Sequence, residues 1–299
     1  MTAGPHIAVF TKNRTNAAYE AARIGADRTA SRLGGRTTHF VPRIPDDAGE
    51  QIVLIDEALG QRPDGFVFVP VHETAVNDAV RRIDASGIPL ANFINRVSAG
   101  NRITFVGSND MALAVAVGER LIRHLGGCGG IVVMEGTSGS VTSKARLAGF
   151  REAAAGFPGI RILAVGAANY QHDDARRLMQ EWLGAYPQID GVLCANDVMA
   201  LGAIEAMHAA GRMIPVVGVN ALPEAIEALK EGTLLATADF DALKMACVAT
   251  EAMIRHLRGE PVPTEIMLPV QLVDRENCAP WDRPLAQREC PRWGDVIPL

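Results

Sequence analysis

The sequence has few of the motifs that mark metal sites, nucleotide sites or membrane spans. Its five cysteines show no CxxC spacing, which argues against a zinc site. The segment Thr11–Asn16, after the first predicted strand, contains no glycine and so lacks the GxGxxG turn of dinucleotide-binding enzymes, and there is no P-loop. No apolar run approaches the length of a membrane span. The formal net charge of −5 argues against a broad nucleic-acid surface.

Two questions stay open toward the ends of the chain. Cys278 and Cys290 flank a tail that contains Trp and Pro. They either form a disulfide, as an oxidising compartment would allow, or remain two free thiols. A secretion signal has a basic region followed by an apolar stretch, and the first residues of this sequence lack that pattern. Either the protein is cytoplasmic, or a signal has been removed.

The most informative feature is an internal repeat. Asp64-Gly65 and Asp190-Gly191 each open a short apolar run, and Ile88-Pro89 and Ile214-Pro215 each open another. Both pairs are separated by 126 positions. This repetition predicts two similar α/β units in tandem, with a cleft between them into which the strand ends point.

Short apolar runs alternate with helical patterns along most of the chain. The runs are apolar throughout, which favours parallel sheets covered on both faces and a doubly wound α/β fold. The predicted strands are His6–Phe10, Thr37–Val41, Gly65–Val69, Pro89–Phe93, Ile103–Val106, Gly130–Met134, Ile160–Val165, Gly191–Ala195, Pro215–Val219, Ala236–Asp239 and Ile266–Leu272. The predicted helices are Ala17–Leu33, Ala48–Leu59, Glu73–Ala85, Met111–Leu125, Ser143–Ala155, Asp173–Ala185, Val198–Ala210, Pro223–Lys230 and Ala242–Leu257.

Side chains beyond the carboxyl ends of the strands are the candidate binding groups, because open α/β sheets bind ligands there. Most are amides, arginines or aromatics, which can hydrogen-bond hydroxyls and stack on an apolar ligand face. Among the seven histidines, only His72 follows a predicted strand. The segment Gly136–Ser140 follows a strand and opens a helix, a place where an anion can bind, although a plain tight turn is the favoured interpretation.

A set of short motifs resembles those of the periplasmic pentose- and hexose-binding proteins of the ribose-binding type. These proteins share a superfamily with the ligand domains of lactose-repressor-type regulators, and the resemblance spans about residues 5 to 273. The motifs are Asn16 with Tyr19, Asn95-Arg96, Arg146-Leu147-Ala148-Gly149-Phe150, Cys194-Ala195-Asn196-Asp197 and Val217-Gly218-Val219-Asn220.

The resemblance implies a type I periplasmic binding protein fold, in which two doubly wound parallel-sheet lobes are joined by a three-crossing hinge. We expect residues 5–107 and 240–263 to form the N-terminal lobe. Residues 108–239 and 264–299 would form the C-terminal lobe with an irregular tail. By the resemblance and by position, the expected ligand-binding residues are Lys12, Asn16, Tyr19, His72, Asn95, Arg96, Arg146, Tyr170, Asn196, Asn220, Asp239 and Phe240.

The function that the resemblance implies is that of a solute-binding protein of an ABC importer. It would bind a small sugar, polyol or sugar acid between the lobes, act as a monomer in the periplasm and deliver the ligand to a membrane permease. Catalysis, cofactors, metals and nucleic acid are not expected. Two alternatives remain: the ligand-sensing core of a sugar-responsive transcription regulator, and an α/β enzyme.

Two departures from the ribose-type pattern bear on the ligand. Asn95 and Asn220 stand where that type has aspartates, while Arg96 and Arg146 remain. The pocket would then be net positive and favour sugar acids, unless an acidic side chain such as Asp239 or Asp110 turns inward. With that compensation, the expected ligand is an ordinary sugar or sugar alcohol.

Overall fold

The computed structural model describes residues 4–138 and 140–297, and its chain divides into two units. Unit 1 contains the chain up to Ser108, then Asp241–Leu268 and the chain from Leu285 onward. Unit 2 contains Asn109–Phe240 and Pro269–Pro284. No helix of the described ranges is long and apolar enough to cross a membrane.

The elements alternate between strand and helix as the sequence predicts. In chain order they are β1 (His6–Phe10), α1 (Ala17–Arg32), β2 (Arg36–Phe40), α2 (Ala48–Gly60), β3 (Gly65–Phe68), α3 (Asn77–Ala85), β4 (Leu90–Phe93), β5 (Thr104–Gly107), α4 (Asp110–His124), β6 (Cys128–Glu135), α5 (Val141–Ala155), β7 (Gly159–Ala167), α6 (His172–Ala185), β8 (Gly191–Cys194), α7 (Asp197–Ala209), β9 (Val216–Val219), α8 (Pro223–Glu231), β10 (Ala236–Asp239), α9 (Ala242–Leu257), β11 (Glu265–Met267), β12 (Gln271–Asp274) and α10 (Trp293–Val296).

Each unit is built on one six-stranded sheet. The order in unit 1 is β11-β5-β4-β3-β1-β2, with every pair parallel. The order in unit 2 is β12-β10-β9-β8-β6-β7, with only β12 antiparallel to its neighbour. The central strands are buried along their whole length, because helices cover both sheet faces. The predicted fold class is confirmed.

The internal repeat has a structural counterpart in the two sheets. Strands β3 and β8 occupy equivalent places in their sheets, as do β4 and β9, and each pair keeps the 126-residue offset. Asp64 precedes β3 and accepts a hydrogen bond from the His6 N–H at 2.7 Å. Asp190 precedes β8 and accepts one from the Gly130 N–H, also at 2.7 Å. The repeated aspartate therefore ties each third strand to the start of its neighbour.

The predicted strand Ile266–Leu272 is wrong, because this segment forms two strands on different sheets. β11 pairs with β5 in unit 1, and β12 pairs with β10 in unit 2. Pro269 lies between them and has no N–H to donate to a ladder, so one continuous strand is disfavoured.

The expected assignment of residues 264–299 to the second lobe is also incorrect in part. Residues 264–268 belong to unit 1 through β11, and the chain from Leu285 returns to unit 1. There, Leu285 and Cys290 pack against Ala21, Leu243 and Cys247. The chain therefore passes between the units after residues 108, 240 and 268, and the tail adds a fourth passage after residue 284.

The five cysteines are free thiols, and the structure does not pair Cys278 with Cys290. Cys278 is buried in unit 2, where its thiol faces the Arg275 carbonyl at 3.7 Å. Cys290 lies in unit 1, with its sulfur 2.7 Å from that of Cys247. Burial of Leu285 and Cys290 against unit 1 separates the two tail cysteines between units, which sequence spacing does not reveal.

Candidate functional site

In unit 1, the loop after β1 is organised by two asparagines. Asn16 is the N-cap of α1, and its Oδ1 accepts a hydrogen bond from the Ala18 N–H at 2.9 Å. The buried Asn13 accepts one from the Asn16 N–H at 3.0 Å. Lys12 and Tyr19 are half-buried on either side of this turn. Sequence reasoning missed Asn13, whose role shows only once the turn is folded.

The turn after β4 carries Asn95 and Arg96 and is held by the buried Asn92. The Asn92 amide donates to the Asn95 carbonyl at 2.7 Å and accepts from the Val97 N–H at 2.9 Å. Ile94, at φ 61°, adopts the left-handed conformation that reverses the chain here. Sequence analysis missed Asn92, because an apolar run around one amide gives no sign of its partners.

Arg96 forms an ion pair with Glu265 and stacks over the Phe105 ring at 3.8 Å from its centre. Its side chain is 42% exposed. Both partners lie in strands of unit 1, β11 and β5. The charge of Arg96 is therefore balanced within its own unit.

His72 differs from the other predicted site residues of unit 1, because it is exposed and its ring serves the turn that follows. Its Nδ1 accepts hydrogen bonds from the N–H groups of Thr74 and Ala75, at 3.1 and 3.2 Å. This turn also explains why α3 begins at Asn77 instead of the predicted Glu73.

In unit 2, the central feature of the site is a buried arginine. Arg146 is 4% exposed, and its Nε and Nη2 contact Asp110 Oδ1 at 2.9 and 2.8 Å. Its Nη1 donates to the Ala195 carbonyl, at the end of β8, at 2.6 Å. The Phe240 ring, itself buried, lies with its centre 5.6 Å from the guanidinium carbon. These contacts fix both the position and the charge balance of Arg146.

Asn196 and Asp197 follow β8 and are almost fully buried. Asn196 caps α7 by accepting from the Met199 N–H at 2.9 Å, and its amide donates to the Tyr170 carbonyl at 3.4 Å. Asp197 accepts from the Thr237 hydroxyl at 2.7 Å and from the Leu222 N–H at 3.0 Å. Burial raises the pKa of Asp197 to about 6. Asp197, at the start of α7, therefore joins the end of β8 to strand β10 and to the loop after β9.

Tyr170 and Asn220 lie at strand ends in left-handed backbone, at φ 60° and 121°. The Tyr170 ring lies directly on the backbone of Gly136, where a Cβ would come within 2.0 Å of it. Burial raises the pKa of the Tyr170 hydroxyl to about 12. That turn, Gly136–Ser140, includes Gly139, which lies outside the described residues.

Three buried polar atoms at this edge have no hydrogen-bond partner among the described residues. They are the hydroxyls of Tyr170 and Ser143 and the Oδ1 of Asn220. An unpartnered buried polar group costs free energy. Four other such atoms, all in unit 1, belong to Thr29, His39, Thr104 and Thr250.

Asp239 is engaged by the tail. The Trp281 indole N–H donates to Asp239 Oδ2 at 2.6 Å, and Asp239 is 6% exposed. Trp281 belongs to the part of the tail in unit 2. The tail, for which the sequence offers no role, therefore reaches a predicted site residue.

The structure thus divides the predicted site between the two units. Unit 1 holds Lys12, Asn16, Tyr19, His72, Asn95 and Arg96, and unit 2 holds Arg146, Tyr170, Asn196, Asn220, Asp239 and Phe240. Within unit 2, Arg146 lies beside Phe240 and the end of β8, and Asn196 contacts Tyr170. No cluster of His, Cys, Asp and Glu side chains in residues 4–138 and 140–297 could hold a metal ion.

A separate surface pocket of unit 2 lies away from these residues. It is lined by side chains around the starts of β9 and β10, among them Arg120, His124 and Met213. That is the amino end of the parallel strands, opposite to the edge that carries Arg146.

Comparison with known proteins identifies the family. Residues 7–261 match the model of the periplasmic binding protein domain. The D-ribose/D-allose-binding protein of Pseudomonas aeruginosa is 29% identical over 283 residues, which cover 90% of this chain and 88% of that protein. The xylitol-binding protein of Mycolicibacterium smegmatis is 28% identical over 237 residues, or 78% of this chain and 67% of that protein.

A solved structure agrees with these relatives. The ABC transporter periplasmic solute-binding protein of Actinobacillus succinogenes, with bound D-allose, superimposes with a TM-score of 0.87 at 26% identity. The match covers 91% of this chain and 98% of that one. The repeated sheets and the strand-end residues agree with these matches. The chain therefore belongs to the periplasmic binding protein domain family.

Proposed function

We propose that this protein is the solute-binding component of an ABC importer and binds a small neutral sugar or polyol. The observation that carries the ligand class is the fixed guanidinium of Arg146, buried beside the Phe240 ring and bonded to the Ala195 carbonyl at the end of β8. Rigid donors beside an aromatic ring suit a ligand with many hydroxyls and an apolar face. Named relatives bind ribose, allose and xylitol, which supports this class.

The charge balance favours a neutral ligand over a sugar acid. Asp110 balances Arg146, and Glu265 balances Arg96, each within its own unit. A preference for an anionic ligand would require that Arg96 and Arg146 lack acidic partners. With both paired, an added carboxylate would meet Asp110 and Glu265 without a free positive charge to offset them. Aldoses and alditols are therefore proposed ahead of aldonates.

The unpartnered atoms of unit 2 support the same ligand class. The buried hydroxyls of Tyr170 and Ser143 and the Oδ1 of Asn220 have no hydrogen-bond partner among the described residues. Hydroxyl groups are both donor and acceptor, so a polyhydroxy ligand could satisfy all three after a modest rearrangement.

The twelve predicted residues constitute the proposed binding site, with one half on each unit. We propose that ligand contacts residues of both units and, through those contacts, favours a closed form. Catalysis is not part of this proposal. The proposed partner is a membrane permease, and the proposed oligomeric state is a monomer. The proposed location is the periplasm, as for the ABC transporter periplasmic solute-binding protein of Actinobacillus succinogenes.

A ligand panel tests the proposal. Matched aldose, alditol and aldonate members of each sugar should be screened by thermal shift and then titrated by calorimetry. We expect at least one neutral member to raise the melting temperature and to bind with one site per chain. Tight binding of aldonates alone would overturn the neutral class. No response to any sugar or polyol would count against the proposed function itself.

A further inference from the structure

Two thiols lie close together where the tail meets unit 1. Cys247 projects from α9 and is 1% exposed, and Cys290 is half-buried in the tail. Their sulfurs are 2.7 Å apart, although 43 positions separate them in sequence. Both sulfurs also face the Gly25 carbonyl of α1, at 3.5 and 3.9 Å. The pair is therefore enclosed by two helices and the tail.

Close packing of α1 and α9 directs Cys247 toward the tail. A Cβ on Gly25 would come within 2.5 Å of the Leu243 carbonyl and 3.0 Å of the Cys247 sulfur. Only glycine allows this approach without displacing α9. Cys247 consequently has little freedom to move away from its partner.

The tail around Cys290 is held by separate contacts. Arg28 of α1 donates to the Arg288 carbonyl at 2.7 Å. Arg255 of α9 lies over the Trp293 ring, 4.8 Å from its centre. Leu285 packs into the same small cluster as Cys290. Contacts on both sides of Cys290 thus place it beside Cys247 without a covalent bond.

We propose that Cys247 and Cys290 form a disulfide that attaches the tail covalently to unit 1. This pairing depends on the oxidising compartment that the proposed periplasmic location provides. The two sulfurs are 2.7 Å apart, so bond formation needs them to approach by only about 0.7 Å.

The chemistry of the pair suits thiol–disulfide exchange. The hydrogen bond from Cys247 lowers the pKa of Cys290, and the positive charges of Arg28 and Arg32 act in the same direction. Cys290 is therefore the attacking thiolate, and it is also the more exposed of the two.

The oxidant is a protein or small-molecule disulfide. The Cys290 thiolate attacks one of its sulfurs, forming a mixed disulfide and releasing one thiolate. Cys247 then loses its proton and attacks the Cys290 sulfur, which releases the second thiolate. The pair loses two protons and two electrons, and the oxidant becomes a dithiol.

Thiol mapping tests this assignment. The protein should be exported to an oxidising compartment, purified without reductant, denatured and alkylated, and its peptides identified by mass. We expect a linked peptide containing Cys247 and Cys290, with the other three of the five cysteines alkylated. Alkylation of all five, or a linkage that includes Cys278, would overturn the proposal.

A stability comparison gives a second readout. Cys290→Ser should melt roughly 5–15 °C below the oxidised wild type, because the bond closes a long loop. In reductant the two should melt together, and Cys278→Ser should keep the linked peptide. Equal melting temperatures without reductant would contradict the disulfide. Ligand titration of the same samples reports on the proposed function separately.

Discussion

At the scale of single residues, Arg146 and Asp110 form a largely buried ion pair in unit 2. The Arg146 side chain is 5% exposed and the Asp110 side chain 19%. Ion pairs in such places gain little over a well-packed apolar pair, but removal of one partner leaves a charge with poor solvation. Arg146 therefore matters for stability as well as for the proposed binding.

Replacing Arg146 should affect both properties. Arg146→Ala should weaken ligand binding by about 2–4 kcal/mol through lost charge-assisted hydrogen bonds. It should also lower the free energy of unfolding by about 3 kcal/mol, because Asp110 loses its partner. Calorimetry and urea unfolding measure the two effects.

The exposed Arg123 offers a matched control, since its pair with Glu119 lies on the surface of α4. Arg123→Ala should change both quantities by less than about 1 kcal/mol. Adding Asp110→Ala to Arg146→Ala should recover part of the stability without recovering binding. Unchanged affinity in a folded Arg146→Ala protein would remove Arg146 from the site.

Asp197 should make stability depend on pH in an uncommon direction. Burial raises its pKa to about 6 in the folded protein, whereas an unfolded aspartate titrates near 3.9. Between these values the folded state holds a proton that the unfolded state has lost. Stability from this group is therefore greatest below about pH 4, falls as the pH rises to about 6, and stays level above, a change of about 3 kcal/mol.

A comparison with Asp197→Asn isolates that titration, because the amide does not ionise. The free energy of unfolding of the wild type minus that of Asp197→Asn should fall as the pH is raised from 4 to 7. Urea titrations across this range measure it. A difference that stays constant or rises would show that the pKa of Asp197 is not raised.

At the scale of elements, helix starts and strand ends supply the proposed site. Asn16 and Asn196, two residues of the proposed site, each cap a helix that begins beyond a strand. An N-cap asparagine uses its side-chain oxygen for the helix. Structure and proposed binding therefore depend on the same side chains.

Asn196→Ala should distinguish helix capping from ligand binding when it is compared with the loss of an N-cap outside the proposed site. Asp47 caps α2 by accepting from the Glu50 N–H at 2.7 Å. Both Asn196→Ala and Asp47→Ala should cost about 1 kcal/mol of stability. Only Asn196→Ala should weaken ligand binding, as measured by calorimetry. Equal affinity in the two variants would limit Asn196 to capping.

Element positions follow from sequence wherever the pattern is local. Apolar runs predict β3 and β8 within one residue, because buried parallel strands need unbroken apolar sequence. The division of residues 265–274 between two sheets is not local, since it depends on which edge each strand meets. The partners of Asn92 and Asp197 could not be predicted for the same reason, because Phe68 and Thr237 lie 24 and 40 positions away.

At the scale of the whole molecule, the chain connects its two units through four passages. We expect ligand to favour a closed form of the wild-type protein. Small-angle X-ray scattering should show a smaller radius of gyration with saturating ligand than without it. Arg146→Ala at the same ligand concentration should not contract. An identical radius in the wild type with and without ligand would contradict closure.

The fourth passage also determines how the protein could be made into a fluorescent sensor. Because the chain returns to unit 1 at Leu285, the first and last described elements, β1 and α10, both belong to that unit. Fluorescent proteins fused at the two ends would both be attached to unit 1. They would therefore report poorly on a movement of unit 2 relative to unit 1. The thiol of Cys128, exposed in unit 2, is a place for a dye that pairs with a single terminal fusion. Energy transfer between that dye and the fusion would report the proposed closure.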